Sequence, residues 1–162
     1  MTKKKQALDI YIVAGGQSAG KSSVIKNLTN RKKGGFVKIT GITGKQTDFY
    51  FRSQSLQEKK IAPDAFKQII DKALRKRQFS AVLIALRTNY IEGPNINLPY
   101  NKLTEEYIDY FMQIGWNIKF VAELPGTAIS LHVRKNKYKH DFFGKPTISQ
   151  LTSQVKKFFN FL

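Results

Sequence analysis

The chain has 162 residues, the usual length of one domain, and 41% of them are hydrophobic, which argues against wholesale disorder. It contains no cysteine, which excludes a disulfide framework, a thiolate metal site and a cysteine nucleophile and fits a cytoplasmic location. The net charge of +17 favours anionic partners such as nucleotides, nucleic acid or an acidic protein, and no apolar run approaches the length of a membrane span. We therefore expect a single domain over residues 1–162, with residues 1–6 as a flexible basic tail.

The first predicted element is a strand over residues 8–14, and a glycine-rich loop follows it directly. The loop matches the phosphate-binding pattern G-x-x-x-x-G-K-S/T at every fixed position, and a helix with apolar residues at helical spacing comes next. This strand, loop and helix are the context in which the pattern binds nucleotides. The candidate nucleotide-binding residues are Gly15, Gly16, Gln17, Ser18, Ala19, Gly20, Lys21, Ser22 and Ser23.

Each part of the loop has a chemical role. Successive backbone N–H groups form a concave nest for an anion, Lys21 adds a positive charge for the β- and γ-phosphates, and the Ser22 hydroxyl can bind Mg²⁺. The motif N/T-K-x-D, which reads guanine, is absent, because Asn136 and Lys137 are followed by Tyr138 and Lys139. The sequence therefore predicts ATP and Mg²⁺ as ligands, with GTP less favoured.

The later elements alternate between strands and helices. This alternation predicts an α/β fold, a three-layer sandwich around a mostly parallel sheet, of the P-loop NTPase or nucleotide-kinase type. The run over 79–86 is almost continuously apolar, as in a parallel strand covered on both faces. The predicted strands are 36–40, 79–86 and 116–122, and the predicted helices begin at Pro63, surround Tyr107, span 127–135 and run from Ile148 to Leu162.

Two arginines are candidates for contact with the transferred phosphate. Arg87 follows the buried strand 79–86, at the sheet edge where open α/β proteins bind ligands. That strand ends without a carboxylate, which argues against the ATPases of motors and transporters and leaves the small P-loop kinases. Arg134 begins a basic run over 134–140, in the place where such kinases carry a mobile lid. Glu123 is either a substitute for the missing magnesium acid or a structural carboxylate.

Four segments, in order, resemble the zeta toxin family of P-loop kinases, which phosphorylate UDP-N-acetylglucosamine. They are the start of the loop, the run 48–52, the run 86–88, and the run 115–134. The resemblance implies transfer of the γ-phosphate of ATP to a hydroxyl of a small anionic acceptor, and an antitoxin protein as a partner. It makes Asp48 the catalytic base, Arg52 and Thr88 substrate-binding residues, and Arg87 and Arg134 stabilisers of the phosphoryl group.

The chain also departs from that family, and other functions stay open. The family carries a glutamate within I-E-G-T after the buried strand, where this chain reads Leu83, Ile84 and Ala85. A 5′-polynucleotide or nucleoside kinase uses the same parts and suits the positive charge. A catalytically weak nucleotide-binding module suits the missing acids. A dynamin-like GTPase would share the loop and the run 123–126 but lacks the guanine-reading motif.

Overall fold

The computed structural model describes residues 7–89, 93–94, 96–125, 139–141 and 146–162, with the backbone alone for 139–141. Within these residues the chain forms six strands and four helices. The strands are β1 (Asp9–Gly15), β2 (Gly35–Thr40), β3 (Gln46–Phe51), β4 (Ala81–Arg87), β5 (Asn117–Glu123) and β6 (Lys139–Asp141). The helices are α1 (Lys21–Thr29), α2 (Pro63–Lys76), α3 (Thr104–Gln113) and α4 (Ile148–Phe158).

All six strands belong to one sheet, in the order β2-β3-β4-β1-β5-β6. β2 and β3 are antiparallel, and every other neighbouring pair is parallel, so the prediction of a mostly parallel sheet is confirmed. β1 lies at the centre, between β4 and β5. In this register Gly15 pairs with Arg87 and Ala14 pairs with Glu123. The loop after β1 therefore begins beside the carboxyl ends of both neighbouring strands.

Helices cover both faces of the sheet, an arrangement compatible with a three-layer sandwich. Side chains of α2 and α3 join Ile10, Ile12 and Ile84 in one core, and side chains of α1 and α4 join Val13 and Leu83 in the other. All seven residues of β4 are buried, so the prediction of a strand covered on both faces is confirmed. Alternation along β1 and β4 divides their side chains between the two cores.

Two predicted features, a helix and a basic lid, fall in the last third of the chain. The helix predicted for 127–135 lies outside the described residues. Of the basic run 134–140, where a lid is expected, residues 134–138 also lie outside the described residues, and Lys139 and His140 begin an edge strand, because the backbone of Lys139–Asp141 pairs parallel with Val121–Glu123 of β5. A strand of only three residues without an apolar pattern leaves little periodic signal in a sequence.

The final helix is shorter than the sequence predicted. α4 ends at Phe158, and a left-handed Asn160 (φ 56°) turns the chain so that Phe161 pairs with Gly41 and is buried. Leu162, expected on the helix face, is 63% exposed. α4 packs against α1 and the sheet. Within the described part of the chain, no helix combines the length and apolar character needed to cross a membrane.

The two-faced burial of β4 gives a direct test of the core. Ile84→Ala removes a fully buried side chain from the middle of the central layer, and we expect it to lower the free energy of unfolding by about 2–5 kcal/mol. Ile42→Ala, the same change at a side chain that is 61% exposed, should shift it by about 0.5 kcal/mol or less. Urea titration of both variants measures the difference, and equal losses would contradict the assignment of the core.

Candidate functional site

The glycine-rich loop closes tightly between β1 and α1. A Cβ on Gly15 would come within 2.9 Å of the Ala19 Cβ, and the Ala19 N–H donates to the Gly16 carbonyl at 3.3 Å. Gly20, the N-cap of α1, has φ 94° and carries no side chain that could cap the helix. The first N–H groups of α1 therefore lack a side-chain acceptor from the N-cap and are oriented to receive an anion.

Lys21 is a buried lysine at the start of α1, with only 5% of its surface exposed. Its ammonium donates a hydrogen bond to the Gly16 carbonyl at 2.6 Å, so the side chain folds back over the loop. Burial lowers the pKa of Lys21, the Glu58 carboxylate opposes that shift, and the Arg87 guanidinium adds to it. A buried ammonium beside a second cation has an electrostatic preference for an anion.

A cavity of about 390 Å³ opens in front of the loop. Loop and helix residues form one wall, and the segment that follows β3 forms the other, with the Ile148 side chain from α4 at the border. The side chains and backbone groups that line it are Ser18, Gly20, Lys21, Ser22, Ser23, Ser53, Ser55, Glu58 and Ile148. The cavity thus combines one cation, several hydroxyls and one carboxylate at the carboxyl edge of the sheet, where parallel α/β proteins bind ligands.

Arg87 is held beside the loop by a buried network. Its side chain donates to the Gln17 Oε1 at 3.0 Å and to the Asn89 Oδ1 at 3.1 Å. The Gln57 side chain is fully buried and binds the Arg87 backbone twice, because its Oε1 accepts from the N–H at 3.0 Å and its Nε2 donates to the carbonyl at 2.9 Å. The Thr104 hydroxyl also donates to that carbonyl. The end of β4 is therefore fixed relative to the loop.

Asp48, predicted as the catalytic base, lies at the opposite end of the sheet. Its backbone carbonyl accepts from Ser80, just before β4, whereas the loop follows the other end of β1. The two ends of β1 are six residues apart, roughly 20 Å at the rise of a strand. The Lys38 ammonium, which donates a hydrogen bond to the carboxylate at 3.0 Å, lowers the pKa of Asp48, and Arg77 adds to this effect. The structure therefore does not bring Asp48 to the loop.

The other predicted site residues that the structure describes lie at different distances from the loop. The Thr88 N–H donates to the Gly15 carbonyl at 3.2 Å, so Thr88 lies directly beside the loop. Arg52 lines a smaller cavity of about 210 Å³ after β3, and Ser53 lines both this cavity and the loop cavity. Glu123 is buried at the end of β5, level with Ala14. Arg134 lies outside the described residues.

Sequence reasoning missed two residues of the site, Glu58 and Gln57. Both lie in the segment between β3 and α2, which has no periodic pattern and was assigned no element. Asp48 is predicted as the base only because the run 48–52 resembles a family motif. The segment after β3 contains Glu58, ten residues later, and the length of β3 decides which of the two acids reaches the loop edge.

The fold and site together define an α/β protein whose central strand leads through a glycine-rich, lysine-containing loop into a helix. Comparisons with protein-family models, curated proteins and solved structures gave no match. Among the described residues, no group of three or more His, Cys, Asp or Glu side chains could hold a metal ion.

The Gln57 clamp gives a stability prediction. Gln57→Leu leaves the Arg87 N–H and the Lys102 carbonyl without this side chain, and each buried group left unpaired costs about 1–3 kcal/mol. We expect the free energy of unfolding to fall by about 2 kcal/mol or more. Gln113→Leu, the same change at an exposed position of α3, is the matched control. If urea titration finds equal small effects for both, the network does not hold the end of β4.

The lowered pKa of Lys21 predicts a dependence of stability on pH. Between the lowered pKa and the usual value of 10.5, the unfolded chain binds more protons than the folded chain, so the free energy of unfolding rises with pH in that window. We expect the stability of the wild-type chain to rise relative to that of Lys21→Met as the pH increases from neutral toward 10.5. The difference cancels the titration of other groups, and a constant difference over this range would contradict the prediction.

Proposed function

We propose that the chain is an ATP-dependent phosphotransferase of the P-loop kinase type, which transfers the γ-phosphate to a hydroxyl group of an acceptor. The observation that carries this proposal is the composition of one cavity. Lys21 and Ser22 line it on the loop side, and Glu58 lines it on the side of the segment after β3. Cation, hydroxyl and carboxylate thus face one space at the carboxyl edge of the sheet.

The loop supplies the binding of the triphosphate. A phosphate chain at the start of α1 would accept from the N–H groups that Gly20 leaves uncapped. Lys21 would exchange its hydrogen bond with the Gly16 carbonyl for one with a phosphate oxygen, which relieves the unfavourable burial of its charge. Mg²⁺, held by Ser22 and phosphate oxygens, would neutralise part of the charge of the phosphates. Arg87 lies at the same edge and adds a second positive charge.

Glu58 is the residue that we assign as the general base. In the transfer step, its carboxylate accepts the proton of the acceptor hydroxyl while the hydroxyl oxygen forms a bond to the γ-phosphorus. The bond between the γ-phosphorus and the β,γ-bridging oxygen breaks, and its electron pair leaves with ADP. Two observations support this role. The Glu58 carboxylate acts to raise the pKa of Lys21 across the cavity, and the exposed Glu58 side chain is accessible to an acceptor that enters from solvent.

The identity of the acceptor stays a prediction. A small anionic acceptor such as UDP-N-acetylglucosamine, expected from the resemblance to zeta toxins, could use Arg52 in the adjoining cavity. The net charge of +17 favours a nucleic acid instead.

A catalytically weak nucleotide-binding module is the second candidate function. One observation favours it, because β4 ends in an arginine that is already engaged with Gln17 and Asn89 rather than in an acid.

Transfer from γ-labelled ATP in the presence of Mg²⁺, offered UDP-N-acetylglucosamine and a 5′-hydroxyl oligonucleotide in parallel, tests the proposal. We expect Lys21→Ala to abolish transfer, because the loop loses its charge. Glu58→Gln should slow transfer by about 10²–10⁴-fold with ATP still bound, because the proton acceptor is removed while the loop that holds the phosphates is intact. Asp48→Asn, the same loss of a carboxylate at the far end of the sheet, is the matched control and should leave the rate unchanged.

Different results would identify different errors. A large loss of transfer rate with Asp48→Asn and none with Glu58→Gln would mean that Asp48, the residue predicted from the sequence, is the base. ATP binding without label on either acceptor would favour the binding module. Absence of ATP binding, with Lys21→Ala indistinguishable from the wild-type chain, would contradict the proposal that the loop binds a nucleotide.

A further inference from the structure

A second cavity, of about 410 Å³, lies at the other end of the sheet from the loop. Its walls come from the beginnings of β1, β3 and β5, from the turn after β2 and from the C-terminal segment. The chain end forms a wall because Phe161 pairs with Gly41 and the Leu162 N–H donates to the Thr40 carbonyl at 2.9 Å. Tyr11, which lines this cavity, precedes Gly15 by four residues, or roughly 13 Å of strand, so the two spaces are distinct.

Aromatic rings form the floor of this cavity. The Tyr11 ring lies at the centre, half-buried, with ring centroids of Phe49, Phe120, Phe159 and Phe161 at 5.1 to 5.5 Å. Burial, together with the negative charge of Asp9, raises the pKa of the Tyr11 hydroxyl to about 12, so it remains a hydrogen-bond donor at physiological pH. The four rings are tilted or edge-on to Tyr11, so they surround its polar tip with apolar surface, which suits a ring-bearing ligand that carries a hydrogen-bond acceptor.

Charged and hydroxyl-bearing side chains line the rim. Lys45 and Lys119 are both exposed and stand against a single carboxylate, that of Asp9, whose Oδ1 already accepts a hydrogen bond from the Asn117 side chain at 2.8 Å. Thr43, Thr47 and Ser80 add hydroxyls to the lining. The rim therefore has a net positive charge, and the positive field of the whole molecule reinforces it.

We propose that this cavity is a second ligand site, which binds a small organic anion with its planar ring over Tyr11 and its negative charge at Lys45 and Lys119. The volume falls within the range of small-molecule sites, about 300–1,000 Å³, and the lining divides about evenly between apolar surface from the rings and polar surface from charged and hydroxyl-bearing groups. The site does not depend on the proposed phosphotransfer, because no residue that lines it also lines the loop cavity.

The probe for this site is 1-anilinonaphthalene-8-sulfonate, a ring-bearing anion whose fluorescence rises in apolar surroundings. Titrated into the full chain, it should saturate at a single molecule per chain and bind more tightly than methanesulfonate or the uncharged N-phenyl-1-naphthylamine. Lys45→Glu combined with Lys119→Glu should weaken binding by about tenfold or more, because each reversal replaces attraction with repulsion at short range. Lys72→Glu with Lys76→Glu makes the same charge change on the exposed side of α2 and should have a much smaller effect.

Lys21→Ala separates this site from the loop and should leave dye binding unchanged. Three results would overturn the proposal. Equal losses in the two double variants would mean that the dye responds only to net charge. Loss of binding in Lys21→Ala would place the dye in the loop cavity. Unsaturable binding at many positions, with no requirement for both ring and sulfonate, would show that the cavity is not a defined site.

Discussion

The pairing of two strands that are buried on both faces is the constraint on which the rest of the structure depends. β1 and β4 lie between the helical layers, where water cannot satisfy their backbone groups, so these N–H and carbonyl groups need partners within the protein, and neighbouring strands supply most of them. The register that satisfies them pairs Gly15 with Arg87. That single pairing brings the loop, the end of β4 and the segment after β3 to one edge, and the cavity forms between them.

Two cations are held at this edge in ways that carry a cost. Lys21 is buried and bound to a carbonyl of its own loop, and Arg87 is fixed by Gln17, Asn89 and the Gln57 clamp. Buried cations without opposing charges destabilise a fold, and an anion between them relieves that penalty. In the proposed phosphotransferase, the same residues would therefore exchange part of the stability of the unliganded protein for binding of a phosphate group.

The two ends of the sheet have different chemistry. At the carboxyl edge, backbone N–H groups, Lys21 and Glu58 face an open cavity. At the amino edge, a cluster of aromatic rings is walled by the chain end. The carboxylate of Asp48, also toward the amino end, is neutralised by Lys38 and Arg77. Whether a side chain lies at the loop cavity or at the aromatic cavity therefore depends on its position along the strand rather than on its residue type.

The sequence by itself determined the elements whose signals are local. The apolar runs of β1 and β4, the glycine-rich loop between β1 and α1, and the amphipathic pattern of α2 were predicted because each depends on neighbouring residues and on periodicity. The α/β class and the mostly parallel sheet followed from their alternation. The loop residues and Arg87 were predicted as site residues for the same reason, since a motif and a strand end are both recognisable from neighbouring residues.

Only the tertiary structure decided which residues meet. Strand pairing placed Asp48 at the amino edge and gave the carboxyl edge to Glu58, although ten residues separate them in the sequence. The Gln57 side-chain amide binds the Arg87 N–H and carbonyl because these backbone groups are buried and need hydrogen-bond partners. The aromatic cavity joins β1, β3, β5 and the chain end, which lie far apart in sequence. Such contacts depend on register and on long-range packing, and neither leaves a periodic trace in the sequence.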